Sequence, residues 1–129
     1  MRESTRRLLE KGDRAIASAA RLLDAGDAEF AVGRAYYAMF YAAEALLDHH
    51  EFHFRKHAGV HSAIGEHFVK TGRLDMRFHR WLIAAFNKRI IGDYGVEADI
   101  TPDEVRVMVA QAKEFLLEAR RIVSETENA

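Results

Sequence analysis

The chain has 129 residues, no cysteine and a formal net charge of −1, with 49% hydrophobic and 30% charged residues. That length predicts one domain spanning 1–129 with its own core, since such a chain buries roughly two-thirds of the surface its unfolded form exposes. The composition excludes a disulfide framework, a thiolate metal site and a cysteine nucleophile, and the near-zero charge leaves no global basic footprint for nucleic acid.

DNA is therefore not an expected partner, although a local basic patch stays open. The opening MRESTRRLLEKG is charged and lacks the apolar run of a signal peptide. The longest stretch free of charge, Ala35 to Ala43, is far shorter than the roughly 18 residues of a membrane span. A cytoplasmic protein without a membrane partner is expected.

Helix 1 is predicted from Glu3 to Ala25. Leu8, Ala15, Ile16, Ala19, Leu22 and Leu23 recur at three- and four-residue steps, with Arg7, Lys11, Arg14, Arg21 and Asp24 opposite. Gly12 weakens its middle and Gly26 supplies its stop. Helix 2 follows from an Asp27 cap to His49. Its segment from Phe30 to Leu47, FAVGRAYYAMFYAAEALL, is apolar or aromatic nearly all the way round and has only Arg34 and Glu44 as charges. Such a helix is buried by neighbours on several sides. Ala31, Ala35, Ala38, Ala42 and Ala45 form a small-residue stripe that lets another helix approach closely. Arg34, Tyr37, Tyr41, Glu44 and Asp48 form a polar line.

His50 to Lys56 reads as a connection. Helix 3 spans His57 to Thr71, with Val60, Ile64 and Phe68 inward, and ends at Gly72. Helix 4 covers Asp75 to Ile91, with Phe78, Leu82, Ala85, Phe86 and Arg89 on one face. Gly92 to Ile100 is the longest non-helical stretch. Thr101-Pro102-Asp103-Glu104 is a capping box with proline at the first helical position, and helix 5 runs on to Ser124. Residues 124–129 read as a frayed tail. No strand-length alternation and no repeat interrupts this pattern. The fold expected is all-α, an antiparallel up-and-down four-helix bundle with an additional shorter helix.

Two constellations could carry chemistry. His49, His53, His57 and His61 are each four apart, but a metal-binding face would need a continuous helix through 50–56. No cysteine, HExxH or Glu-x-x-His accompanies them. A solvated loop plus one buried histidine near the start of helix 3 is the reading, and no metal or cofactor is assigned. The second is the polar line on helix 2. A buried Arg34 would need partners from other helices, and Arg89, with Asp93 and Tyr94 just beyond, is the obvious counterpart.

The segment Lys88-Arg89-Ile90-Ile91-Gly92-Asp93-Tyr94-Gly95, taken with RAYYAMFYAAEALL, RKHAGVHSAIGEHFVKTG and VRVMVAQAKEFLLEA, resembles the HEPN family (higher eukaryotes and prokaryotes nucleotide-binding). The spaced pattern Arg–Ala–Tyr–Tyr, Lys–His–x–Gly–Val, Arg–x–x–x–Asp–Tyr is that of one bacterial and archaeal branch. The resemblance implies a helical bundle that dimerises. It also implies frequent pairing with a minimal nucleotidyltransferase in a two-gene toxin–antitoxin arrangement, and in many members metal-independent RNase activity. Those RNases carry a His four to six residues after an Arg. Here Arg89 and Tyr94 match, Asp93 stands near the place of the His, and no His follows Arg89. Arg55…His61 and Arg73…His79 meet the bare spacing outside the matching segment.

Three functions compete. In the first, a binding module holds a nucleotide, RNA or the nucleotidyltransferase through Arg34, Tyr37, Tyr41, Glu44, Lys88 and Arg89. In the second, an RNase toxin uses Arg89 with Asp93 as base and Tyr94. In the third, the protein is a structural homodimer with no ligand. A homodimer is expected on separate grounds too, because one bundle covers helix 2 with difficulty and Met39, Trp81 and Phe86 would extend its apolar surface.

Overall fold

The structure is a computed structural model that describes residues 1–96 and 99–128, with side chains described as far as Thr126. Its elements are α1 (Glu3–Asp24), α2 (Ala28–His49), α3 (His57–Ile64, running on through a wider π-helical turn, Gly65–Val69), α4 (Met76–Tyr94) and α5 (Pro102–Asn128). No strand occurs among the described residues. α2 lies at the centre and packs against α1, α3, α4 and α5.

End-to-end contacts give the directions. Ser4 and Thr5 of α1 bond Asp48 at the end of α2. Gly92 near the end of α4 lies against Glu29 at the start of α2, and Lys88 of α4 pairs with Glu104 at the start of α5. The four long helices thus run up, down, up, down, with α3 as the short fifth element, as the periodicity predicts.

The composition of α2 explains its position. Ala31, Ala35, Ala38, Ala42 and Ala45 are all fully buried, and so are Val32, Tyr36, Met39 and Leu46. Small side chains let α1 and α5 approach while the large ones fill the space toward α3 and α4. Met39 is sealed inside, while Trp81 and Phe86 are half-buried against the core. The bundle itself covers α2. Around α1 the inward face is rotated from the predicted one, with Thr5, Leu9 and Gly12 buried and Leu8 only partly so. Gly12 is no weak point. A Cβ there would stand 2.6 Å from the Leu116 side chain, so its lack of a side chain is what lets α5 close on α1.

Several ends form as predicted and three do not. α1 stops in a Schellman arrangement, with Asp27 N–H donating to Leu22 O and Gly26 N–H to Leu23 O. Thr101 and Glu104 exchange the bonds of a capping box at 2.8 and 3.2 Å. Asp27 stands at the N-cap of α2 without a side-chain cap bond. α4 does not end at Ile91 but continues through Gly92 to Tyr94. There the glycine is paid for by contact, since a Cβ would meet the Glu29 carbonyl at 3.0 Å. α5 likewise passes Ser124, with Thr126 Oγ1 donating to Ile122 O. The connection after α4 includes residues 97 and 98, which lie outside the described residues.

α2 closes with the same Schellman bonds as α1, Phe52 N–H to Leu47 O and Glu51 N–H to Asp48 O. The left-handed position is taken by Glu51 at φ 63°, a conformation that costs a side chain roughly 1–2 kcal/mol. Its ion pair among the described residues, to Arg2 at 3.7 Å, is exposed and worth little. Glu51→Gly is expected to raise stability by about 0.5–1 kcal/mol, part of the gain being lost to the freer unfolded chain. Urea unfolding at neutral pH measures it, and an unchanged or lower midpoint would contradict the strain.

Candidate functional site

The site begins with a hydroxyl that cannot reach water. Tyr36 is fully buried on α2, and such a group must find partners inside the protein. It finds two. His57 Nδ1 lies 2.6 Å and His61 Nε2 2.9 Å from its oxygen. The two imidazoles stand four residues apart on α3 and therefore face the same way. His57 is stacked on Phe40, with ring centroids 4.3 Å apart and planes at 18°. Phe86 of α4 closes the box at 5.8 Å from His57 and 5.1 Å from His61. His79 of α4 adds a bond from Nε2 to the His61 carbonyl at 3.0 Å.

Electrostatics fix the charge states. Burial pushes the Tyr36 hydroxyl far above its usual range, although Arg89 opposes the shift. Burial drives His61 down to about 4, with His57 and His79 adding repulsion. Burial and then Arg89 also hold His57 below its ordinary value. Near neutral pH both imidazoles are neutral. The hydroxyl has one proton to give, so one imidazole accepts it and the other donates to the oxygen.

Arg89 reaches the edge of this box from α4. Its guanidinium carbon lies 5.8 Å from the Tyr36 ring centroid and 5.1 Å from that of Tyr37. Its Nε donates to Asp93 at 3.1 Å, a pairing made possible by the helix continuing past Ile91. Arg34 lies 5.3 Å from the same Tyr37 ring. Tyr37 contacts Tyr41 at 5.8 Å, and Lys11 Nζ sits 4.8 Å from the Tyr41 centroid. Beyond it a groove of about 190 Å³ is lined by Lys11, Arg14, Ala15, Ser18, Arg34 and Tyr41. Cations and aromatic faces alternate across α4, α2 and α1.

Of the residues expected from sequence, Arg34, Tyr37, Tyr41 and Arg89 come together on this line. Arg34 is exposed, not buried, and draws on a ring rather than on a distant carboxylate. Lys88 turns to α5 and pairs with Glu104 at 2.8 Å. Glu44 is half-buried, its carboxyl held up by burial and by Asp48 while Lys11 opposes. With Asp48 and His53 it borders a separate cavity of about 70 Å³. Asp93 is engaged by Arg89, and Tyr94 is 79% exposed. The evenly spaced histidines are split up. His49 ends α2, His53 sits in the connection 3.6 Å from Asp48, and only His57 and His61 share a helix. No group of three or more His, Asp or Glu side chains among the described residues converges on a metal position, and none of the described helices is long and apolar enough to cross a membrane. Tyr36, His57 and His61 were not legible as a working group. The signals were the paired tyrosines and the four-residue histidine step, and only the packing joins them.

Comparison with known proteins agrees with this architecture. The HEPN domain family matches residues 5–122. A UPF0332 protein of Gloeobacter violaceus is 33% identical over 92% of this chain and 94% of its own length. Two proteins of Methanocaldococcus jannaschii, each bearing the name "Putative toxin", are 30% identical. The alignments cover 89% of this chain and 78% of the first protein, and 97% of this chain and 92% of the second. The chain belongs to the HEPN family.

The Tyr36 network makes stability depend on pH. Unfolded His61 takes up its proton near 6.5 and the folded one near 4, so below pH 6.5 the unfolded state binds more protons and stability falls as pH drops toward 4. That shift corresponds to on the order of 3 kcal/mol. In His61→Gln, which keeps a polar partner for Tyr36, the difference in stability between pH 7 and pH 4 is expected to shrink by a comparable amount. Urea unfolding at both pH values measures it, and an unchanged difference would place the titration elsewhere.

Proposed function

We propose that this protein is a toxin-type RNA-binding module that grips a single-stranded segment along the line Arg89, Tyr37, Arg34, Tyr41 and Lys11. The observation that carries the reading is the placement of two guanidiniums, Arg34 and Arg89, at one half-exposed tyrosine ring. Bases stack on aromatic faces whatever their identity, phosphates take cations, and each stacked base contributes about 1–3 kcal/mol. The groove between α1 and α2 continues the track with Lys11 and Arg14. A free nucleotide would use the same groups. The names of the two Methanocaldococcus relatives support a toxin-like role, and the family resemblance supports a minimal nucleotidyltransferase as partner in a two-gene pair.

A homodimer belongs to the same proposal. Its surface is not the buried α2 but the junction of α2 and α4, where Phe30, Ile91 and Tyr94 stand exposed on either side of the Glu29–Gly92 contact. The RNase reading also has support from one observation, a half-buried imidazole on α3 beside Arg89. Asp93, which that reading makes the base, is bonded to Arg89 Nε.

Fluorescence anisotropy with a labelled single-stranded RNA tests the main reading. Binding should weaken as salt rises, and Arg34→Ala and Arg89→Ala should each cost about tenfold or more, by the usual worth of a charged contact. Equal binding by the native protein and both variants would rule the track out. Light scattering at micromolar concentration should give twice the 14.7 kDa of one chain, and Phe30→Glu with Ile91→Glu should return the monomer. A native monomer would count against the dimer and leave the RNA track untouched.

A further inference from the structure

We propose that the groove between α1 and α2 is an end-recognition site, in which Lys11, Arg14, Arg34 and Ser18 hold the terminal phosphate of a single-stranded RNA. The inference rests on the RNA-binding reading and names the class of strand that the track prefers, one that ends in a phosphate monoester.

Two helix faces build the groove. Lys11, Arg14, Ala15 and Ser18 follow one another at three- and four-residue steps and so share one face of α1. Arg34 and Tyr41 reach the same space from α2. Ala15 is buried between the two helices, and its short side chain leaves room above it. The charged side chains that line the groove, Lys11, Arg14 and Arg34, are all cations. Rings steady two of them. Lys11 Nζ lies 4.8 Å from the Tyr41 centroid and the Arg34 guanidinium carbon 5.3 Å from that of Tyr37, and a cation on an exposed ring keeps its charge available. Glu44, whose carboxyl feels Lys11, borders the other cavity with Asp48 and His53.

Size and stacking both select an end. At about 190 Å³ the groove is smaller than the roughly 300–1,000 Å³ of pockets that enclose a whole small molecule. It suits a phosphate group better than a base with its ribose. The ring ladder stops at the same place. Tyr37 and Tyr41, with centroids 5.8 Å apart, offer faces to successive bases, whereas the α1 sequence from Glu3 to Asp24 contains no aromatic residue. A strand running on past Tyr41 meets cations for its phosphates but no ring for its next base. A strand that ends there forgoes nothing.

Charge makes the second distinction. A phosphodiester within a strand carries one negative charge. A phosphate monoester carries about −1.5 to −2 at neutral pH and presents three acceptor oxygens. Three cations gathered in one small groove repel one another until an anion enters, and a dianion relieves that repulsion more than a monoanion does. The donors match three oxygens in kind. Arg14 and Arg34 bring planar forks that can each take two oxygens, Lys11 brings a compact point charge, and Ser18 brings a hydroxyl from the same face of α1. The end of the strand is thus read by charge at the groove, while its bases are held by the rings.

Fluorescence anisotropy tests this with one short mixed-sequence RNA, labelled internally and prepared with a 5′-phosphate, with a 3′-phosphate or with hydroxyls at both ends. The native protein should bind one of the phosphorylated forms about tenfold more tightly than the hydroxyl-ended form, the usual worth of added charged contacts. The end that gives the gain sets the polarity of the strand on the track. In Arg14→Ala and Arg14→Gln, both at an exposed position of α1, that ratio should fall to within about twofold of one. Arg89→Ala, at the other end of the line, should weaken every form and keep the ratio. Equal binding of all three forms by the native protein overturns the end-recognition site and leaves the RNA-binding reading standing. A ratio unchanged in both Arg14 variants also overturns it, and absence of binding to any form removes both readings.

Discussion

A buried phenol is the constraint on which the rest depends. Tyr36 cannot leave its hydroxyl unsatisfied in the core without losing on the order of 1–3 kcal/mol, and its two partners both come from α3. That requirement sets the rotation and height of a helix too short to be placed by propensity alone. The π-helical turn that follows, where Lys70 N–H reaches back to Gly65 O, widens the backbone beside His79. His79 then ties the His61 carbonyl to α4. A short helix after a loop is thereby tied to both α2 and α4.

The local basic track arises in a chain of net charge −1 because the carboxylates are used elsewhere. Glu3 and Glu10 pair with Arg6, Glu118 and Glu125 with Arg121, Asp103 with Arg106, and Asp13 with Arg120. Most of these pairs lie within one helix and contribute a few tenths of a kcal/mol each. Lys11 and Arg34 face rings instead. A cation on an exposed aromatic face gains about 0.5–1 kcal/mol while its charge stays available to solvent and ligand. Overall charge therefore says little about this face.

The fold was readable because periodicity and end signals agree in most elements. The Thr101–Glu104 box, Gly26 and the all-round apolar character of α2 each point to what forms. The misreadings share a cause, in that neighbours override a local rule. Gly92 looked like a stop, yet the closeness of Glu29 gives it a place inside α4. Gly12 looked like a weakness, yet Leu116 needs its bare backbone. Arg34 looked buried because its flanks are apolar, although its own position on α2 opens outward. The site was half readable. Arg89 stands in a recognisable segment, but His57 lies on a different helix, and no spacing rule joins residues brought together only by the Tyr36 hydroxyl.

The spacing after Arg89 shows why position along the chain is a poor guide to role. At four residues beyond, an aspartate lies within reach of the guanidinium on the same helix face, and Asp93 is bonded there. That carboxylate holds Arg89 through Nε, beside the rings of Tyr36 and Tyr37. α3 brings the His57 ring to the same two tyrosine rings, with its Nδ1 at the Tyr36 hydroxyl that His61 also contacts. Sites are defined by geometry and role, not by order in the sequence, and here the surroundings of Arg89 depend on the packing of α3 against α2 through the Tyr36 hydroxyl.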